Sequence, residues 1–302
     1  MRGPRPLEWE ALREVITRYH RLLVSHRAHL NELNVFPVAD SDTGTNLALT
    51  LQIVVDSLDE ASGMASVCEG IVQGSLRGAR GSSGVIMAQF LGAFAQTMAR
   101  ASTVDSKLLA AALQAGSDAA YSAVVEPVEG TILTVAREAS QAAVATADLG
   151  MEPTLTSAVE ASAAALERTR EMLPQLRDAG VVDAGGKGMQ LFLETLTAVI
   201  LDEAIAPSLG SGAGPTVTRT EEIPRYEVVI RLIPGETSLE SFKQQWAELG
   251  DASTVVVASD GLWVGHIHTN SADAAIAAAK SAGSIVDLQV TDLQAGDHEG
   301  GE

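Results

Sequence analysis

Two carboxylates separated by one residue are the first feature of the sequence that suggests chemistry. Asp40 and Asp42 lie in NVFPVADSDTGTN (34–46), directly before an apolar, helix-like run. Carboxylate oxygens and the amide oxygen of Asn34 are hard ligands, and protein-bound Mg²⁺ usually takes one or two carboxylates plus phosphate oxygens. The segment predicts a magnesium-phosphate site. The alternative is an acidic loop in which Asp42 only caps the next helix.

A glycine-rich turn, GARGSSG (78–84), suggests an anion site before a predicted helix. Small residues let backbone N–H groups approach an anion, and the N-terminus of a helix favours negative charge. The hydroxyls of Ser82 and Ser83 add donors, and Arg80 could pair with a phosphate. A glycine-rich turn alone is a weak signal, so a plain interhelical turn with a surface arginine is the alternative.

Two histidines near the C-terminus suggest a metal site of a different kind. His266 and His268 lie two residues apart in a strand-like segment, so they face the same side of a sheet. An antiparallel pairing with the strand that begins near Tyr226 would bring Glu227 beside them. Two histidines and a carboxylate can hold zinc. The alternative is a pair of hydrogen-bonded structural histidines.

These residues must be positioned by helices in the first two thirds of the chain. Apolar residues recur at helical spacing through residues 1–205, and Gly, Pro, Asp and Ser occupy the joints. We expect Asp42 or Thr43 to cap the second helix and Pro174 to interrupt the seventh. Eight helices are predicted, at 9–33, 46–61, 64–76, 83–101, 106–125, 131–147, 155–176 and 188–204.

The pattern changes near residue 206. Residues 206–222 are rich in Gly, Pro, Ser and Thr and are predicted to be a linker. Residues 223–295 show strands and helices in the order β-α-β-β-α-β, which is typical of a ferredoxin-like domain. We expect residues 296–302 to be a disordered tail.

Composition restricts the function further. The chain of 302 residues has 39 acids against 20 bases, a formal charge of −19, which disfavours nucleic acid and anionic membranes as partners. The single cysteine, Cys68, excludes a disulfide framework and is expected to be an inert core thiol. There is no signal-peptide pattern and no apolar run long enough to span a membrane, so we expect a cytoplasmic protein.

Four ordered motifs together carry a family resemblance: NVFPVADSDTGTN, GARGSSGVI (78–86), PVEGTILTVARE (127–138) and GVVDAGGKG (180–188). The chain resembles the nucleotide-binding subunit of dihydroxyacetone kinases, the DhaL family. It is more similar to the large subunit of bacterial fatty acid kinase, through HIHTN (266–270) and through Asn34. The resemblance implies a mainly α protein: an eight-helix antiparallel barrel that holds Mg·ATP at one end, followed by a small ferredoxin-like α/β domain.

The resemblance also implies a set of site residues. Asp40 and Asp42 would be catalytic and would hold magnesium with help from Asn34. Thr131 could equally be a helix cap. Nucleotide contacts are expected from Asn34, Thr43, Gly44, Thr45, Asn46, Arg80, Gly81, Ser82, Ser83, Gly84, Gly130, Thr131, Thr134, Asp183, Gly185 and Gly186. Three positions depart from family patterns: Asn34 replaces the Asp of dihydroxyacetone kinases, Ser82 replaces a usual Asn, and Glu227 replaces a zinc-binding Cys.

The implied function is transfer of the γ-phosphoryl group of ATP to an acceptor held by a partner protein. The acceptor implied by the closer resemblance is a fatty acid carboxylate presented by a separate fatty-acid-binding subunit, and a homodimer is also implied. The family's large subunit continues into a third domain that this sequence does not contain. Phosphorylation of dihydroxyacetone (glycerone), a non-catalytic Mg·ATP-binding regulator, and a scaffold with a degenerate site remain open as alternatives.

Overall fold

The computed structural model describes residues 4–204, 224–257 and 261–293. The chain divides into two compact units: Met1–Phe36, Ser41–Ser122 and Pro127–Val217 form the first, and Pro37–Asp40, Ala123–Glu126 and Thr218–Glu302 form the second. The predicted linker, 206–222, and the predicted tail, 296–302, lie outside the described residues.

The first unit is helical. In its described part it contains nine α-helices and one 3₁₀ turn, Ala147–Leu149. The helices are α1 (Trp9–Glu32), α2 (Thr43–Asp56), α3 (Met64–Gly78), α4 (Gly81–Met98), α5 (Ser106–Ala123), α6 (Ile132–Thr146), α7 (Met151–Met172), α8 (Pro174–Ala179) and α9 (Ala184–Leu201). None of the helices in the described ranges is both long and apolar enough to cross a membrane.

Several predicted helix boundaries were wrong, and glycine explains two of the errors. The fourth helix begins at Gly81, and the last helix of this unit begins at Ala184, earlier than predicted in both cases. The glycine-rich stretches were assigned to loops because glycine has a low helix propensity. In the structure close packing of the helices outweighs that propensity. Pro174 does end the predicted seventh helix, but it also starts α8 as its first residue, a position that proline tolerates.

Aromatic rings form the centre of the helical unit. The ring of Phe192 on α9 makes edge-to-face contacts with Tyr19, Phe90 and Phe94, with centroids 5.5–5.6 Å apart. The hydroxyl of Tyr19 donates to the carbonyl oxygen of Gly188 at 3.0 Å. These rings therefore join α1, α4 and α9 around one buried cluster. Cys68 is also fully buried, as predicted, and burial raises the pKa of its thiol to about 12.

The second unit has the predicted order of elements. It contains β1 (Tyr226–Pro234), α10 (Leu239–Ala247), β2 (Asp251–Val257), β3 (Trp263–Thr269), α11 (Ala272–Ala282) and β4 (Gly283–Asp292). The strands form one antiparallel sheet in the order β2-β3-β1-β4, which confirms the ferredoxin-like pattern. Phe242 and Trp246 of α10 pack with Val228, Ile230 and Ile267 in its core. Residues 258–260, between β2 and β3, lie outside the described residues.

We expect the aromatic cluster to make a large contribution to the stability of the helical unit. Phe192→Ala should destabilise the protein by about 3–5 kcal/mol, because the cavity cannot be refilled by three neighbouring rings. Leu149→Ala, at a side chain that is 70% exposed, should change stability by less than about 0.5 kcal/mol. Guanidinium unfolding followed by circular dichroism measures both. Equal midpoints for the two variants would contradict the assignment of Phe192 to the core.

Candidate functional site

The side chain of Asn34 closes the N-terminus of α2. Its Oδ1 atom accepts hydrogen bonds from the backbone N–H groups of Asp42 (3.1 Å) and Thr43 (2.9 Å) and from the Thr43 hydroxyl (2.8 Å). An amide oxygen with three donors has no lone pair left for a magnesium ion. The geometry therefore gives Asn34 a positioning role, although the sequence suggested a metal ligand.

Asp42 occupies the N-cap position of α2, but its side chain makes no capping hydrogen bond. The carboxylate instead accepts a hydrogen bond from Asn46 Nδ2 through Oδ2, at 2.8 Å. Asp42 therefore occupies the cap position that the sequence suggested, but Asn34 supplies the hydrogen-bond acceptor there. The carboxylate of Asp42 is thus placed at the start of α2 without being used to terminate it.

Asn46 connects this carboxylate to the second predicted motif. A Cβ atom added to Gly81 would lie 2.1 Å from Asn46 Nδ2, so only glycine allows this approach. The φ angle of Gly81 is also positive, +56°. The structure therefore brings the beginning of α4 against the beginning of α2, as the magnesium-phosphate hypothesis requires.

The N-terminus of α4 is built to accept an anion. Its N-cap residue, Arg80, makes no side-chain capping bond, and its backbone N–H donates to Thr50 Oγ1 at 3.1 Å. The first helical hydrogen bond runs from Gly84 N to Arg80 O. Ser82 and Ser83 belong to the first turn of α4, where the backbone N–H groups point out of the helix end. Such a turn attracts phosphate and carboxylate groups.

Ser41, between the two acids, has an unusual backbone. Its φ angle is +58°, a conformation that costs a non-glycine residue about 1 kcal/mol or more. Strain of this size persists only where the surroundings enforce it, and it is concentrated at functional sites. The observation singles out the segment around Asp42 independently of its carboxylate.

Neighbouring residues of the first motif hold helices together. Asn31 on α1 bonds to Thr45 twice, through its amide nitrogen to the hydroxyl and through its oxygen from the backbone N–H, each at 3.1 Å. A Cβ atom on Gly44 would lie 2.4 Å from the carbonyl oxygen of Arg27. Thr45 and Gly44, predicted as nucleotide contacts, therefore have structural roles in docking α2 onto α1.

The loop before α6 is stabilised from within. Thr131 is the N-cap: its hydroxyl accepts from Leu133 N at 3.3 Å and donates to Val128 O at 2.8 Å. Gly130, at φ +88°, donates its N–H to the buried hydroxyl of Thr134 at 2.8 Å. Thr131 therefore caps α6, one of the two roles that the sequence suggested for it. The hydroxyl of Thr134 holds the loop in shape and is fully buried.

A network that the sequence analysis missed fixes the same loop. Glu129 accepts hydrogen bonds from the guanidinium of Arg137, the hydroxyl of Thr134 and the hydroxyl of Tyr121. The bond from Arg137 is the main interaction that lowers the pKa of Glu129. Arg137 lies two turns into α6, so no local pattern links it to the motif. Only the periodicity that places Thr134 and Arg137 on one helix face could have suggested it.

Asp183 caps the N-terminus of α9 and joins this helix to α6. Its carboxylate accepts from Gly186 N at 2.6 Å, and the backbone N–H of Ile132 also bonds to it. Complete burial raises its pKa to about 7, although these two bonds act in the opposite direction. Added Cβ atoms on Gly185 and Gly186 would lie 3.0–3.1 Å from side chains of α6. This stretch, predicted to be a loop, is a buried helical turn because its glycines allow two helices to touch.

The second unit contains the metal-ligand cluster that the sequence suggested. In the sheet register Glu227 pairs with His268, and Val229 pairs with His266. Ligand atoms of Glu227, His266 and His268 all lie within 4.8 Å of one another, and all three residues are buried. The Nε2 atom of His266 is 3.1 Å from Glu227 Oε1. The prediction that strand pairing brings these side chains together is confirmed.

The protonation of this cluster suits a metal ion. Burial and the neighbouring His266 lower the pKa of His268 to about 3, so its imidazole is neutral. Burial raises the pKa of Glu227, but the hydrogen bond from His266 and the charges of both histidines lower it overall. A neutral imidazole and an ionised carboxylate are the ligating forms. Within the same unit, Asp40 Oδ2 lies 4.0 Å from His268 Nε2.

In the helical unit a carboxylate thus lies beside the N-terminus of α4. Comparison with protein families identifies this unit. The DAK2 domain model matches residues 37–198, and the model of the FakA-like middle domain of fatty acid kinase matches residues 224–299. The chain belongs to the DAK2-domain family and carries this middle domain behind it.

Curated relatives match nearly the whole chain. Protein YloV of Bacillus subtilis is 33% identical over 96% of this chain and 56% of its own length. Uncharacterized proteins of Staphylococcus saprophyticus (SSP1546) and Staphylococcus aureus (SAB1090) are 30% and 32% identical, over 93% and 90% of this chain. The chain spans about half the length of these relatives.

A solved structure, the dihydroxyacetone kinase from C. freundii in complex with AMP-PNP and Mg²⁺, matches 61% of this chain and 32% of its own. The identity is 21% and the TM-score is 0.45.

Asp183 predicts a pH-dependent contribution to stability. Its pKa of about 7 in the folded state exceeds its ordinary value of 3.8, so the folded protein holds this proton more tightly than the unfolded chain. The stabilisation is complete below about pH 4 and is lost as the pH rises through 7, at about 1.4 kcal/mol per unit within that window. Relative to wild type, Asp183→Asn should therefore gain stability between pH 4 and 7.

Denaturant unfolding at several pH values measures this difference. Asp178→Asn removes an exposed carboxylate of α8 and should track wild type throughout. A difference between wild type and Asp183→Asn that stays constant from pH 4 to pH 8 would contradict the burial argument.

Proposed function

We propose that the helical unit binds Mg·ATP and that the protein acts as the ATP-binding subunit of a kinase. The observation that carries this proposal is the contact at Asn46, which joins the Asp42 carboxylate to the beginning of α4. A metal-binding carboxylate and an anion-binding helix N-terminus are the two parts that a bound magnesium-triphosphate group requires. Membership of the DAK2-domain family supports the same assignment.

Each group has a role in this proposal. Asp42 would hold the magnesium ion, which when bound offsets the charge of the phosphates and of this acid. The N–H groups of the first turn of α4, around Ser82 and Ser83, hold phosphate oxygens, and Arg80 adds a positive charge. Asn34 keeps Asp42 in place. Catalysis consists of positioning and charge neutralisation, without a covalent intermediate on the protein.

We further propose that the phosphoryl acceptor is a fatty acid carboxylate presented by a separate fatty-acid-binding protein, so that the product is an acyl phosphate. The match of residues 224–299 to the FakA-like middle domain of fatty acid kinase supports this choice over dihydroxyacetone. A cytoplasmic location and a homodimer complete the proposal. The phosphoryl transfer itself depends on the partner, whereas ATP binding does not.

For the second unit we propose a zinc site formed by Glu227, His266 and His268. The donor set fits this ion: two imidazoles and one carboxylate, buried together with their ligand atoms within 4.8 Å of one another. Glu227 takes the position at which the related family has a cysteine. A carboxylate is a harder ligand than a thiolate, so the affinity should be lower than that of a site with one cysteine. The role proposed for the ion is structural, since it would join β1 and β3.

The magnesium site predicts a loss of nucleotide binding. Asp42→Asn removes a carboxylate charge while retaining the hydrogen-bonding shape, so Mg·ATP affinity should fall at least tenfold. Asp59→Asn, at an exposed acid that follows α2, should bind as wild type does. Calorimetric titration of ATP with Mg²⁺, and with EDTA in its place, measures the effect.

Three results decide the proposal. Binding to wild type that requires Mg²⁺ and is lost in Asp42→Asn supports it. Absence of binding by a folded wild-type protein overturns it, and so does equal binding by Asp42→Asn. Slow ATP hydrolysis that increases when a fatty-acid-binding protein and a fatty acid are added would distinguish a kinase from a regulator that only binds ATP.

The zinc site predicts one equivalent of bound metal. Protein stripped with a chelator should take up one Zn²⁺ ion, and His268→Gln should lower the affinity tenfold or more. His20→Gln, at a histidine of α1 in the other unit, serves as the matched control. Co²⁺ in place of zinc reports tetrahedral geometry through its visible absorption. A folded wild-type protein that binds no Zn²⁺ would contradict the assignment.

A further inference from the structure

A cavity in the helical unit is lined by residues that the proposed ATP site does not use. It has a volume of about 160 Å³ and lies between α1, α7 and α9, and Gly180, Val181 and Val182 also line it. Lys187 and Gln190 of α9 line it. On the same helix Phe192 points into the aromatic core, so the cavity is on the other side of α9.

Basic groups from three helices surround this cavity. Lys187 is only 3% exposed and donates from Nζ to Gln190 Oε1 at 2.6 Å. Arg170 of α7 and His29 of α1 also line it. His26, one turn before His29, is close enough for the charges of His29 and Lys187 to lower its pKa, in addition to its burial. This concentration of bases is notable in a chain with a formal charge of −19.

Two acids offset the charges of the two cations near this cavity. Glu167 lines the cavity, with Oε2 3.8 Å from Arg170 Nε, and Glu194 acts electrostatically on Lys187. Lys187 and Arg170 thus face two carboxylates, so the formal charges of these four side chains balance. A balanced lining disfavours a phosphate dianion more than a ligand with one negative charge.

Two buried nitrogen atoms in this part of the described structure lack a hydrogen-bond acceptor. Among the residues that the structure describes, Arg170 Nε and His26 Nε2 have no hydrogen-bond partner, since the distance from Arg170 to Glu167 is too long for a hydrogen bond. Buried polar atoms are normally satisfied, and an exception calls for a water molecule or a ligand. A group with oxygen acceptors would satisfy the arginine.

The remaining lining is aliphatic. Leu33, Leu166, Val181 and Val182 contribute apolar side chains to the same cavity. A free inorganic anion would leave these side chains against a hydrated ion, whereas an aliphatic chain would cover them and gain about 0.8 kcal/mol for each buried CH₂ group. The lining therefore has one basic part and one apolar part.

We propose that this cavity binds a small aliphatic monocarboxylate, whose carboxylate meets Lys187 and Arg170 and whose chain packs on the leucines and valines. The site is separate from the proposed ATP site and holds its ligand in the absence of nucleotide. Val182 lines the cavity and directly precedes Asp183, the cap of α9. A ligand in the cavity would therefore contact the residue directly before the turn that joins α9 to α6.

Sodium hexanoate is the probe, titrated calorimetrically into the 302-residue chain without ATP or magnesium. We expect one equivalent to bind to wild type and the affinity to fall at least tenfold in Lys187→Met. Arg27→Met, which removes an exposed base from α1, should leave it unchanged. Arg170 is partly exposed, so Arg170→Met provides the same test if Lys187→Met does not fold.

Other probes test each half of the proposal. Hexan-1-ol and hexylammonium should bind at least tenfold more weakly than hexanoate, and inorganic phosphate should not bind. Tighter binding of hexylammonium or of phosphate overturns the assignment of an aliphatic monocarboxylate. No hexanoate binding by folded wild type, or equal binding by the Lys187→Met or Arg170→Met variants, overturns the site itself. Because ATP is absent, none of these results depends on the proposed kinase function.

Discussion

The capping of α2 by Asn34 is the interaction on which the candidate site depends. A helix N-terminus needs acceptors for its first N–H groups, and an aspartate at the N-cap is an ordinary source. Here one amide oxygen from the end of α1 accepts both N–H groups and the Thr43 hydroxyl. The helix therefore does not need the carboxylate of Asp42, which lies at a position of favourable helix dipole.

Small residues set the second constraint, because they decide which helix N-termini can approach one another. Gly81 admits the side chain of Asn46, and Gly84 lies so near Thr50 that a Cβ atom would be 2.4 Å from its hydroxyl. Gly185 and Gly186 bring α9 onto α6 in the same way. Larger residues at these positions would move the helices apart. At Gly81 and Gly84 this would also move the Asp42 carboxylate away from the first turn of α4.

The sequence predicted the elements better than it predicted the function of single residues. Helical and strand periodicities report burial directly, so the helices and the βαββαβ order were confirmed. The pairing of Glu227 with the two histidines also followed, since strand order determines which residues are opposite each other.

Local patterns, by contrast, cannot show how a hydroxyl or an amide is used. Thr45 and Thr134 have hydroxyl groups that could contact a ligand. In the structure these hydroxyls are hydrogen-bonded to Asn31 and to Glu129 instead. Partners far apart in sequence, such as Arg137 and Glu129, become visible only in three dimensions. The cavity beside Lys187 was missed for the same reason, since its bases come from three helices.

The two proposed ligand sites of the helical unit differ in the charge of the groups that they offer. At the start of α2 the protein offers a carboxylate, so a phosphate ligand needs a divalent cation as a bridge. Around Lys187 the proposed contacts of the ligand are the cationic side chains of Lys187 and Arg170, so a singly charged ligand needs no metal. Val181 and Val182 line the cavity, and Asp183 directly after them caps α9 and bonds to the start of α6. A carboxylate ligand in the cavity would thus contact the residues directly before a buried acid whose proton is held by its surroundings.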